Sequence, residues 1–213
     1  TGDIFHFFVF YELMIMGAYV LISVRGDYGA SVKYMIFGAV SSAIFLAGIV
    51  IFYSSGAYFS YSFIDNITAF SRTNIAIALY LFMGAFFIKG AFFPVSGWVA
   101  PCHAAANTLI SAFLASFTIF SSVIGLYYMV LLPAEAIGFH QVFTLLRGMS
   151  AATVIAGALF LFFEHQFKRV IAASTVFSIG TVSLLLSYQL YHAAFMYMLV
   201  HAAYKSLLFY AYD

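Results

Sequence analysis

"FFIKGAFFPVSGWVAP", residues 86–101, lies inside a long hydrophobic run and holds Lys89, Gly90, Pro94 and Gly97. A proline in such a run removes a backbone donor and clashes with the preceding turn, so the helix breaks there. Backbone groups freed in lipid must find partners in protein or in a water-lined cavity, because hydrocarbon offers none. The stretch therefore predicts a discontinuous membrane helix, the feature with which transporters build midplane sites. Gly90 and Pro94 are the residues expected to make the break.

The rest of the chain agrees with a membrane setting. Of its 213 residues, 65% are apolar and 7% charged, far from the balance of soluble globular domains. Apolar runs fall at 4–24, 32–53, 74–100, 107–132, 144–163, 169–188 and 190–212. At about 20 residues per span, they predict an all-α polytopic bundle of roughly seven spans, one of them broken. No separate soluble domain fits, so residues 1–213 read as a single transmembrane domain. The opening "TGDIFHFF" lacks the basic region and small-residue cleavage site of a signal peptide, and "FYAYD" stops abruptly. Both suggest a segment of a longer or split chain. The single Cys102 excludes a disulfide framework and a cysteine-ligated cluster. A net charge of +1 points to no partner, and none of nucleic-acid type is expected.

Charge in the connections orients the bundle. Arg25, Lys33, Lys168 and Arg169 cluster at one side, against Arg72 and Arg147 at the other, which places the first connection inside. The Tyr- and Phe-rich stretch 53–70 suits a short interfacial helix. Lys33, Arg147 and Arg169 lie close enough to span ends to snorkel. His6, His103, His140, His165 and His192, mostly at span ends, read as interfacial.

Glu12, Lys89 and Lys205 cannot be explained that way. Each lies well within an apolar span, where a charge costs about 2.5–3.5 kcal/mol on insertion scales. Glu12 and Lys89 support two readings: an ion pair that only fixes helix packing, or a pair that changes protonation, since moving a carboxylate away from an ammonium lets the amine release its proton. In "YMLVHAAYKSLLF", residues 197–209, Tyr197, His201 and Lys205 are four residues apart and share one helix face. Imidazole and amine on one face are two proton carriers within direct or water-bridged reach. No phosphate-cradling loop, nucleophile elbow or zinc motif is present in the sequence, and neither a cofactor nor a metal is expected.

Five blocks, in order, carry a resemblance: "FFVFYELMIMGAYVLIS" (7–23), "SVKYMIFGAVSSAIFLAGI" (31–49), "FFIKGAFFPVSGWVAPCHAAANTLISAFLAS" (86–116), "FKRVIAASTVFSIGTVSLLL" (167–186) and "MLVHAAYKSLLF" (198–209). Together they resemble consecutive helices of the antiporter-like subunits of respiratory complex I, energy-converting membrane-bound hydrogenases and multi-subunit cation/proton antiporters. The resemblance implies a core of two inverted repeats of five helices, with this chain as the fifth through eleventh helices of a fuller fourteen-helix subunit. It implies that Glu12 and Lys89 are a switching pair, and that His201 and Lys205 pass the proton onward. It also implies further membrane subunits as partners, including antiporter-like ones, within the bilayer of a mitochondrial inner or prokaryotic plasma membrane.

The chain departs from the family pattern at several positions. Cys102 replaces an acid after the break, Asn107 and Leu109 replace prolines, and Phe120 stands where a central lysine is usual. Ser178 and Tyr197 stand where histidines are frequent. Thr118, Ser121, Ser122 and Ser178 are then the groups left to hold bridging water across the middle. The expected function is translocation of protons, or of Na⁺, by a subunit of a complex I-like NADH:quinone oxidoreductase or a related energy-converting complex, with no redox site of its own. The alternatives are a component of a multi-subunit antiporter, a structural subunit with a degenerate channel, and a membrane enzyme with its own cofactor.

Overall fold

The computed structural model describes residues 4–24, 28–55 and 71–212. Arg25, most of the aromatic-rich 53–70 connection and the Phe120 side chain lie outside the described residues. Every element among the described residues is helical. In chain order these are α1 (Ile4–Ser23), α2 (Tyr28–Ser54), α3 (Arg72–Lys89), a 3₁₀ turn (Val95–Trp98), α4 (Val99–Ala105), α5 (Thr108–Phe113), α6 (Ile119–Leu126), α7 (Leu132–Ala136), α8 (Gln141–Phe163), α9 (Phe167–Ser187) and α10 (Tyr191–Tyr212). Two π-helical stretches, Leu114–Thr118 and Tyr127–Leu131, join α5, α6 and α7 into one continuous helix.

Among the described residues, six helices are long and apolar enough to cross a membrane: α1, α2, α3, the joined α5–α7, α8 and α9. The seventh expected span, α10, has the length, 22 residues, but His201, Lys205 and its tyrosines make it more polar. The third expected span, 74–100, is the broken one: α3 ends at Lys89, a 3₁₀ turn follows at Val95–Trp98, and the α-helix resumes at Val99. Hydropathy alone runs through the break because its residues are still apolar.

Side-chain spacing explains the packing. In α1 the buried residues Ile4, Phe8, Tyr11, Ile15, Ala18 and Ile22 recur every three or four positions, while Phe10, Leu13 and Val20 on the other face are exposed. That second face suits lipid. Because lipid tails are as apolar as leucine, the inner faces hold together by close packing and interhelical hydrogen bonds. Phe8 stacks on Phe45 at 5.4 Å, and Phe45 meets Phe82 and Phe86 at 5.0 and 5.3 Å, tying α1, α2 and α3 together. The Ser41 hydroxyl donates to the Ala85 carbonyl at 2.8 Å across α2 and α3.

Several backbone groups freed at the break find partners in protein. Gly90 N–H donates to Phe86 O at 2.7 Å, and a Cβ on residue 90 would lie 2.8 Å from that same oxygen. Only glycine fits so close an approach. Ile88 O accepts from the Trp98 indole at 3.2 Å, and Phe93 N–H donates to Thr153 Oγ1 of α8 at 3.1 Å. Ala91 takes φ +58° as the chain reverses before Pro94. Each freed backbone group named here is answered by protein, as membrane burial demands.

Candidate ion-translocation site

Lys89 is the last residue of α3, so the break fixes where its side chain begins. The side chain is 3% exposed and donates to Glu12 Oε1, itself 14% exposed and on the middle of α1. The ammonium also sits 4.5 Å from the centroid of the Tyr11 ring, a cation–π placement that suits a desolvated charge. From the same ring, the Tyr11 hydroxyl meets Ser122 Oγ of α6 at 2.5 Å. Residues of α1, α3 and α6 thus form one connected polar group.

A second group joins α9 and α10. The Tyr197 hydroxyl donates to Ser178 Oγ at 3.3 Å, Ser178 Oγ pairs with the Tyr204 hydroxyl at 3.3 Å, and Tyr204 pairs with His201 Nδ1 at 3.0 Å. Lys205 is 0% exposed. Its ammonium donates to Ile171 O at 2.6 Å and to Ser174 Oγ, so α9 supplies it with a carbonyl and a hydroxyl. Beside the second group lies a cavity of about 10 Å³, lined among others by Ile119 and Val123 of α6, Ser178 and His201, near the smallest space that holds one water.

The structure therefore brings Glu12 to Lys89, and Ser178 and Tyr197 to His201. It does not engage all the hydroxyls in the same way. Thr118 and Ser121 donate to carbonyls of their own helix, at Leu114 and at Phe117 and Thr118, as threonine and serine commonly do in helices. The Ser122 hydroxyl reaches another helix, at Tyr11 of α1. Tyr197, His201 and Lys205 share a face, but Lys205 turns to α9 while His201 turns to Tyr204.

Two basic side chains depart from expectation. His103 is not interfacial: it is 1% exposed, its ring stacks on Phe209 at 5.3 Å, and Lys168 and Lys205 are its charged neighbours. The break carries α4 back into the bundle, which a position near a span end does not reveal. Lys168, expected in a connection, is buried and donates to Ala106 O, closing the gap between α4 and α5. Tyr11, Ser174 and Tyr204 were also missed; Tyr11 adjoins Glu12, and Tyr204 lies one helical turn from His201, which is the signal that finds them. Arg147, expected to snorkel, donates to Ser187 O at 3.2 Å and lies 4.2 Å from the Tyr188 ring. No group of three metal-ligating side chains occurs among the described residues.

Comparison with known proteins gives a consistent picture. A family profile described as NADH:quinone oxidoreductase/Mrp antiporter, transmembrane, matches residues 1–212. NADH-quinone oxidoreductase subunit N of Bdellovibrio bacteriovorus is 32% identical over 186 residues, which are 82% of this chain and 37% of the relative. The putative antiporter subunit mnhD2 of Staphylococcus aureus is 26% identical over 221 residues, 99% of this chain and 43% of its own. Among solved structures, a chain of the membrane-bound sulfane sulfur reductase, an archaeal respiratory membrane complex, superposes with a TM-score of 0.89 at 25% identity, covering 99% of this chain and 45% of that one. The chain spans about two fifths of the length of the curated relatives it matches.

Proposed function

Because the chain belongs to the NADH:quinone oxidoreductase/Mrp antiporter transmembrane family, we propose that it moves protons, or Na⁺, across an energy-coupling membrane as one membrane subunit of a larger complex. On this reading it corresponds to the fifth through eleventh helices of the fuller antiporter-like fold, and its partners are other membrane subunits, antiporter-like ones included. The observation that carries the reading is the Glu12–Lys89 pair at the mouth of a broken helix. A pair that only held α1 to α3 would not need to sit beside irregular backbone, whereas one that gates a proton does.

The mechanism follows from the partners. While Glu12 stays close, the carboxylate holds the Lys89 ammonium charged. When a shift of α1 or α3 separates them, the ammonium loses its counter-charge in a low-dielectric setting and releases its proton. Tyr11 and Ser122 are the hydroxyls nearest to take part in passing it on. From Ser122 the proton crosses past Val123 of α6 to His201, beside which the small cavity has room for one water, and Lys205 accepts from there.

The test is vesicle reconstitution of the assembled complex carrying full-length Glu12→Gln or Lys89→Ala. Ion pumping is expected to fall by at least about tenfold, the factor set by 1.4 kcal/mol, with assembly retained. Unchanged pumping in a normally assembled complex overturns the proposal. A second reading, a structural subunit with a closed channel, is favoured by one observation: residues 108–134 contain no Lys, Arg, His, Asp or Glu. It expects the same variants to impair assembly, and whatever complex does assemble to pump at the unaltered rate.

A further inference from the structure

Where the broken segment meets α8 and α9, a half-open cavity of about 240 Å³ remains. Pro101, Phe160 and Val176 give it apolar walls, and Ser96, Glu164 and Arg169 bring three polar side chains to it. Ser96 is 4% exposed and its hydroxyl has no hydrogen-bond partner; Arg169 Nε is buried without one as well. Buried donors left unsatisfied in this way call for a ligand. Glu164 and Arg169 also place opposite charges on one cavity with no ion pair joining them to any described residue.

The location restricts the ligand. Glu164 follows α8 and Arg169 lies in the first turn of α9, so the cavity sits at the end of two spanning helices, at headgroup depth. Around it Phe162, Phe163 and Phe167 are 88%, 74% and 55% exposed, the aromatic rim expected where a protein meets the membrane interface. The volume falls below the roughly 300–1,000 Å³ of pockets for drug-sized ligands. It suits a headgroup whose chains stay outside.

We propose that this cavity binds the headgroup of a phosphatidylethanolamine, its phosphate on Arg169 and Ser96 and its ammonium on Glu164. The guanidinium fork matches phosphate oxygens, and the Ser96 hydroxyl donates to a third oxygen. A primary ammonium donates hydrogen bonds to the Glu164 carboxylate, which a choline headgroup cannot. An anionic headgroup would set its net charge against the same carboxylate. The acyl chains run along the exposed Phe162 and Phe163 side of α8. This goes beyond the transport reading and does not depend on it.

Native mass spectrometry of the full complex, delipidated and then offered equimolar dioleoyl phosphatidylethanolamine, phosphatidylglycerol and phosphatidylcholine, tests it. The chain released from the complex is expected to carry one phosphatidylethanolamine in preference to the others. The Glu164→Gln/Arg169→Gln double variant is expected to lower that adduct by about tenfold or more. Gly97→Leu should do the same by filling the cavity, since a Cβ there meets nothing within 4 Å. If the double variant fails to assemble, Gly97→Leu decides alone. Equal retention of the three lipids, a preference for phosphatidylglycerol, or a phosphatidylethanolamine adduct that survives the variants that assemble overturns the proposal.

Discussion

The Tyr204 hydroxyl serves two neighbours at once, Ser178 on α9 and His201 on its own helix. Interhelical hydrogen bonds inside membranes contribute about 0.6 kcal/mol on average, so Tyr204→Phe should lower stability in a detergent unfolding titration by about that amount. Under the proposed relay it should lower pumping far more than that loss explains. Normal pumping in reconstituted vesicles would assign the hydroxyl to packing alone. Ser41→Ala removes the single bond to Ala85 O and is expected to cost about 0.6 kcal/mol, read in the same titration, with pumping intact. At this scale the sequence was legible where polarity contradicted its surroundings: Glu12, Lys89, His201 and Lys205 stand out in apolar runs. Tyr204 did not, because it is one of 16 tyrosines and an amphipathic ring is at home on either face of a membrane helix. His103 was invisible for another reason: its burial depends on where α4 returns after the break, which no local pattern records.

At the scale of elements, α8 and α9 approach through glycine. A Cβ on Gly157 would lie 2.5 Å from Phe177 N, and one on Gly180 would lie 2.7 Å from Val154 N. Both obstacles are backbone, so they cannot swing aside. Gly157→Ala and Gly180→Ala should each destabilise the protein by about 1–3 kcal/mol, as overpacking does, and should couple when combined because they act on the same helix pair. Gly84→Ala is the control, since its Cβ would meet nothing within 4 Å. There the expected change is neutral to a gain of about 0.5–1 kcal/mol. Equal losses at all three positions would mean that the close approach of α8 and α9 is not what the glycines serve. Small residues in apolar runs are readable from sequence, but their partners are not, because each fit is set by the neighbouring helix. Helix limits show the same division: Gly90 and Pro94 predicted a break, while the apolar residues between them kept the run going to residue 100.

For the molecule as a whole, Cys102 is a reporter on whether the broken region opens. It is fully buried and its thiol donates to Ala30 O at 3.5 Å. A membrane-permeant maleimide is expected to leave it unlabelled in the folded complex and to label it on denaturation in detergent. Prompt labelling without unfolding would show that α4 leaves α2 during turnover. The fold class was legible from composition because 65% apolar content leaves the chain little alternative to spanning lipid. What composition does not contain is rotation about each helix axis, and here the π-helical stretch Leu114–Thr118 matters. One residue turns an α-helix by about 100°, and a π stretch accommodates extra chain in each turn, so every side chain after residue 118 is rotated from its position in an unbroken α-helix. Ser122 faces Tyr11 only in that rotated phase. Deleting one residue between 114 and 118 would therefore act on the site as a substitution at Ser122 does, although the serine itself is still there: what evolution has to preserve along this helix is an angle, and sequence positions keep it only as long as the count between them holds.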